Sequence, residues 1–215
     1  ICKLVEGLPL GIELAASWVR LLSCSEIATE IERGLELLST DTKNVPERHR
    51  SLKAAFEQSC KLLTDKEQEV LRKLSVFVGG FRREAASEVA GATIPVLASL
   101  VDKSLLKVLP NGRYDRHPLL YQFTKEKLAN YSDEQSQTYQ EYTAFYLELS
   151  RQAEARLYSQ EKKTWLIRFD EELANVRTIL ARADSETALD LTVNLTGFWA
   201  SRGLHREVRD YLTNF

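Results

Sequence analysis

Apolar residues recur every three to four positions along most of the chain, the mark of helices that each bury one face. Behind Gly7-Leu8-Pro9, the residues Leu10, Leu14, Trp18, Leu21 and Leu22 keep that spacing. Pro9 suits a first helical turn, where the amide it lacks would have had no partner. Ser23 and Glu26 stand three apart, a capping box that opens a second helix with Ile27, Ile31, Leu35 and Leu38 on its apolar face. Residues 39–50 have no period and read as an exposed linker. A third helix is predicted from about Ser51 to Leu63, with Leu52, Ala55, Phe56 and Leu62 turned inward.

A second capping box, Thr64 with Glu67, starts a helix carrying Val70, Leu71, Leu74 and Phe77, which Gly79-Gly80 ends. Two short helices, Arg82–Val89 and Pro95–Lys103, come next. Short alternating runs then flank Pro110-Asn111-Gly112, and Asn-Gly between such runs predicts a β-hairpin with a type I′ turn. Three helices followed by a hairpin is the order of a winged helix; a helix from Pro118 to about Tyr131 closes the segment. Beyond Ser132 the stripes Tyr139–Leu157, Trp165–Leu180 and Leu189–Leu212 predict helical hairpins and no strand.

The expected fold class is therefore mainly α, in three modules: a helical domain over 1–61, a winged helix with a small β-hairpin over 62–131, and antiparallel helical hairpins over 132–215. Hydrophobic residues at 44% and charged residues at 28% exclude a disordered chain or a rod. Net charge is −2, divided by module as −1, +3 and −4. The middle excess is small for a surface that must neutralise phosphates. Cys2, Cys24 and Cys60 are too few and too widely spaced for a disulfide framework or a zinc site, so a cytoplasmic protein is expected. No run of 18 apolar residues is present, and no membrane partner is expected. The chain has no Met and opens inside what reads as a helix end, so it is expected to be part of something longer.

Enzyme chemistry finds no foothold. A phosphate-cradling loop needs G-x-x-x-x-G-K-[ST]; Lys103-Ser104 is the best Lys-Ser pair, but the glycine positions hold Leu97 and Asp102. His49, His117 and His205 lie far apart. The candidate recognition helix Ile94–Lys103 offers only Ser99, Asp102 and Lys103 as polar groups, where base reading wants Arg, Lys, Asn or Gln. Its apolar faces point to burial against protein.

Several short motifs nevertheless stand in a recognisable order. Gly7-Leu8-Pro9-Leu10, with Leu14-Ala15-Ala16 behind it, resembles the GLPL motif of STAND-class NTPases, the NB-ARC or AP-ATPase group. Pro46–Ala55, Leu74–Phe81 and Leu100–Leu105 resemble the segments before and within the winged helix of bacterial regulators of the LuxR/AfsR kind. Arg116-His117-Pro118-Leu119-Leu120 sits where those proteins carry a Met-His-Asp motif, and the last hairpins resemble their tetratricopeptide-like sensor array.

The resemblance implies the regulatory arm of a nucleotide-dependent switch, with the NTPase core of the same chain as its partner and an inducer bound on the repeats. ADP or ATP would be the cofactor of the full-length protein, with none expected on this piece alone, which should not itself be an enzyme. In the ADP-bound resting state of such proteins the GLPL proline packs on adenine and the motif histidine contacts the β-phosphate. Carried over by position, these are Pro9, with Leu8 beside it, and His117. Pro118 stands where the motif has Asp, which removes an anchoring carboxylate. On the residues alone, Pro9 equally suits a plain helix start and His117 a helix cap. A protein-interaction scaffold without nucleotide, or a DNA-binding winged helix, are the other classes the sequence admits.

Overall fold

A computed structural model describes residues 1–33, 38 and 52–213. The expected linker 39–50, Leu35, Ser51, His49 and the run from Pro46 to Arg50 lie outside the described residues. Among the described residues there are twelve α-helices and one two-stranded antiparallel sheet, so the fold is mainly α as expected. In chain order they are α1 (Pro9–Ser17), α2 (Cys24–Arg33), α3 (Leu52–Lys61), α4 (Asp65–Lys73), α5 (Arg83–Ala90), α6 (Ile94–Asp102), β1 (Lys107–Val108), β2 (Tyr114–Asp115), α7 (Pro118–Ala129), α8 (Ser132–Arg156), α9 (Lys162–Leu180), α10 (Ser185–Asn194), α11 (Thr196–Arg202) and α12 (His205–Thr213). No single helix among the described residues is long and apolar enough to cross a membrane.

The chain divides into two compact units, one made of Ile1–Ser75 with Thr93–Ser132, the other of Val76–Ala92 with Asp133–Phe215. In the first, α4 packs on α6 and α7, and α3 packs on α7. Val70, Leu71, Leu74, Leu97, Leu100, Leu119, Leu120 and Phe123 are buried there. Both capping boxes form: Thr64 Oγ1 accepts from the Glu67 amide while Glu67 takes the Thr64 amide at 2.7 Å, and Ser23 with Glu26 does the same.

Four local expectations change. The stripe from Leu10 to Leu22 is not one helix: α1 stops at Ser17, whose hydroxyl donates to Leu14 O at 2.7 Å in competition with the helical ladder, and Leu21 is 76% exposed. Leu62, expected inward, is also exposed, while Leu63 is buried. The helix expected to run to Phe77 ends at Lys73 in a 3-10 turn, Leu74–Val76. The hairpin forms where expected, pairing Lys107 with Asp115 and Val108 with Tyr114, but its tip is not type I′. Pro110 presets the second position of a turn closed by Gly112 N–H to Leu109 O at 2.9 Å; only Gly112, at φ +77°, is left-handed.

In the second unit α8 and α9 run antiparallel, since Tyr139 meets Arg182, Tyr142 meets Asn175 and Tyr146 meets Glu172. Within the largely apolar interior of the unit the buried Asn175 side chain is hydrogen-bonded through both its amide atoms. Asn175 Oδ1 accepts from the Val78 amide at 2.9 Å and from Tyr142 Oη at 3.1 Å; its Nδ2 donates to Gly80 O at 3.0 Å and to Glu172 Oε2 at 2.9 Å. Phe77 packs beside this network, its ring 4.9 Å from Phe81 and 5.3 Å from Tyr142. The smaller helices α10–α12 follow, with Gly203 at φ +68° between the last two, and no strand occurs among the described residues from 133 on.

Candidate functional site

The first eight residues wind through successive turns rather than a helix. Val5 N–H donates to Ile1 O, Gly7 N–H to Cys2 O, and Leu8 N–H to Val5 O at 2.8 Å. Glu6 at φ +44° and Gly7 at φ +73° make the reversal that turns the chain into α1. Leu8 is the N-cap, without a side-chain cap, and Pro9 is the first helical residue, exposed. Val5 is fully buried, and Gly11 lets α1 approach it: a Cβ on Gly11 would lie 3.1 Å from Val5 Cβ. The geometry of Gly7-Leu8-Pro9 is thus fixed from below by one buried valine.

His117 reaches the same valine from a position 112 residues away. It is the N-cap of α7, half-buried, and its Nδ1 accepts from the Leu119 amide at 3.1 Å. An imidazole nitrogen that accepts carries no proton, so the neutral ring holds its hydrogen on Nε2. That Nε2–H donates to Val5 O at 3.0 Å. Val5 O therefore receives both Leu8 N–H and His117 Nε2–H, which brings Leu8 and His117 together on one acceptor and sets Pro9 next in the chain. Pro118, in place of an acidic residue, supplies the first residue of α7.

The rest of α7 holds α2 and α3, and the hairpin reaches Glu6. Gln122 Nε2 donates to the last carbonyls of α2, Ile31 O at 3.2 Å and Glu32 O at 3.3 Å. Lys127 pairs with Glu57 of α3 at 3.1 Å. Lys107 of β1 lies 3.6 Å from Glu6 and 3.3 Å from Asp115. Apart from Lys107–Asp115, which faces across the hairpin, none of these partners shows in sequence periodicity, because each joins positions tens of residues apart. The one local signal was Pro118, which marks His117 as a cap.

The candidate recognition helix α6 is arranged differently. Leu97 and Leu100 are buried, and the Ser99 hydroxyl donates to Glu67 Oε1. Lys103 Nζ donates to both Glu67 oxygens, at 2.8 and 2.9 Å. Glu67, 6% exposed, is thus the acceptor for two of the three polar groups this helix offers. The Lys103 ammonium first, then the Ser99 hydroxyl and the Thr64 amide, hold its carboxyl down at about 2. No cluster of metal-ligating side chains occurs among the described residues.

No family model matches the chain. No solved structure matches it either. Among curated proteins it is similar to one named "Putative HTH-type transcriptional regulator" in Mycobacterium tuberculosis, with 30% identity over 223 residues covering 96% of this chain and 25% of the relative. A protein of the same name in Mycobacterium bovis matches to the same extent. An uncharacterized protein of Mycobacterium tuberculosis is 33% identical over 140 residues, 60% of this chain and 36% of its own. The chain spans about a quarter of the length of the regulators it matches, and the likeness to them runs through both compact units.

Proposed function

We propose that this chain is the regulatory arm of a transcriptional regulator, and that the regulator is a nucleotide-dependent switch of the STAND class. The regulatory half of this reading is supported by the likeness to HTH-type transcriptional regulators over nearly the whole chain. The nucleotide half is supported by one observation above the rest: the His117 ring and the GLPL turn are bonded to a single carbonyl, that of Val5. Residues that the resemblance assigns to one nucleotide are joined here, although 112 positions separate His117 from Val5.

The residues present suit the group. Pro9 offers an exposed, rigid apolar face of the kind that packs on a purine ring. His117 carries its one ring proton on Nε2, the atom that would donate to a phosphate oxygen on leaving Val5 O. ADP, when bound, would supply the adenine face for Pro9 and Leu8 and the anionic oxygens for His117. The chain's own part is mechanical: His117 ties α7 to the GLPL turn through Val5 O, while Gln122 and Lys127 tie it to α2 and α3, so a displacement of the helix after the wing displaces the GLPL turn with it. Rigid-body coupling of this kind lets differential contacts at one end select the state at the other.

The test is the nucleotide content of the whole regulator, purified without added nucleotide and read by chromatography after denaturation. The account expects about one ADP per chain, retained through gel filtration. A regulator that carries no nucleotide and shows no change of thermal stability with ADP would be an interaction scaffold instead.

A further inference from the structure

In sequence, Val76–Ala92 lies between α4 and α6, but in the fold it belongs to the second compact unit. The chain leaves the first unit inside the 3-10 turn Leu74–Val76 and re-enters it at Thr93, the N-cap of α6. Helices α4 and α6 themselves stay together. They pack on each other, and Glu67 of α4 takes the Ser99 hydroxyl and the Lys103 ammonium of α6. A segment of the second unit is thus joined at both its ends to one helix pair of the first.

Helices α8 and α9 grip this segment along its length. The Asn175 side chain accepts from Val78 N–H at 2.9 Å and donates to Gly80 O at 3.0 Å, so it holds a donor and an acceptor of one turn. Gly79, between them, has no room for a side chain, since a Cβ there would lie 2.9 Å from Ala174 Cβ. The Phe77 ring lies 4.9 Å from Phe81 and 5.3 Å from Tyr142 of α8. Past the turn, Arg82 pairs with Glu171 at 2.7 Å and Glu84 with Arg168 at 3.0 Å. Ala85, Ala86, Val89 and Ala90 then bury the inner face of α5.

Packed interiors shift between discrete arrangements and do not deform continuously. A rearrangement of α9 therefore either breaks this grip or carries the segment with it. A carried segment acts on the last turn of α4 and the first turn of α6 through peptide bonds alone. The remaining crossing, Ser132–Asp133, lies at the start of α8, behind α7, and leads to neither of those turns. We propose that Val76–Ala92 is a transmission segment, through which a rearrangement of α8 and α9 loosens or tightens the α4–α6 pair. The coupling needs no nucleotide and stands or falls apart from the switch.

Hydrogen exchange on the full chain tests it, followed at the amides of Leu71 in α4 and Leu97 in α6, the latter bonded to Thr93 O at 3.0 Å. Asn175→Ala removes the side-chain bonds from α9 to the turn, and exchange at Leu71 and Leu97 should rise about tenfold. Gly79→Ala sets a methyl against Ala174 and should raise the same amides severalfold. Adding Ala174→Gly to Gly79→Ala removes the facing methyl and should bring both amides back to within about twofold of wild type. Gly197→Ala, whose methyl would meet Leu157 Cβ at 3.1 Å elsewhere in the second unit, should leave Leu71 and Leu97 unchanged. Amides unmoved by either Asn175→Ala or Gly79→Ala, no recovery in the double variant, or an equal rise in Gly197→Ala would each overturn the proposal.

Discussion

Glu67→Gln isolates one charge in the first compact unit. Glutamine can still accept from the Thr64 amide, so the capping box survives while the ion pair with Lys103 is lost. In the folded chain the Glu67 carboxyl titrates at about 2 against an ordinary 4.5. A carboxyl whose folded value is depressed stabilises the fold above its ordinary value and loses that contribution as pH falls toward the folded one. The gap, at about 1.4 kcal/mol per pH unit, bounds the effect near 3 kcal/mol. Lys103 is partly exposed and screened by water, so the working expectation is about 2 kcal/mol. The assay is native-state hydrogen exchange over α4 and α6 between about pH 6 and pH 3, combined with urea unfolding of wild type and variant. Glu67→Gln should lower opening free energies by about 2 kcal/mol at neutral pH. The wild type should lose a similar amount between about pH 5 and pH 3, where the variant stays nearly flat. Parallel pH profiles for the two proteins would refute the assignment of this charge to folding.

Two further substitutions test other parts of the account. Gly112→Ala forces a left-handed residue to carry a Cβ into otherwise open space, so the cost is backbone strain alone, about 1 kcal/mol in urea unfolding, with the hairpin amides Leu109 and Gly112 losing exchange protection. Asn175→Leu removes five hydrogen bonds at the centre of the second unit and should cost about 3 kcal/mol or more, with the Val78 amide the first to lose protection; retention of wild-type stability would show the network to be dispensable.

What the sequence disclosed was what neighbours along the chain decide. The Thr64–Glu67 and Ser23–Glu26 boxes span three residues each, so their helix starts are visible without the fold. The hairpin was visible in Asn-Gly, but Pro110 fixes its own backbone angle and selects a turn that leaves only Gly112 left-handed. The stripe through Phe77 kept helical spacing, yet packing against Phe81 and Tyr142 decides where that ring goes. At the candidate site, Pro9 and Pro118 announce helix starts, and from Pro118 the capping role of His117 is legible. The bond from His117 to Val5 is not: Val5 contributes a backbone carbonyl, which every residue possesses. The same holds for Glu67, whose place in the capping box is local while Lys103 arrives from 36 residues away.

The central claim is that His117 holds the switch closed, and ADP dissociation from the whole regulator measures it most directly. On this proposal the His117 N–H exchanges Val5 O for an ADP phosphate oxygen, so His117→Ala would lose a charge-assisted bond of about 1.5–3 kcal/mol, which predicts dissociation roughly ten- to a hundredfold faster. His117→Asn retains a good N-capping side chain for α7 and so separates release from unfolding. It should release ADP as fast as the alanine variant while matching the wild type in stability of the arm to within about 1 kcal/mol. Dissociation at the wild-type rate in both variants would contradict the account and leave His117 as a helix cap that also braces Val5.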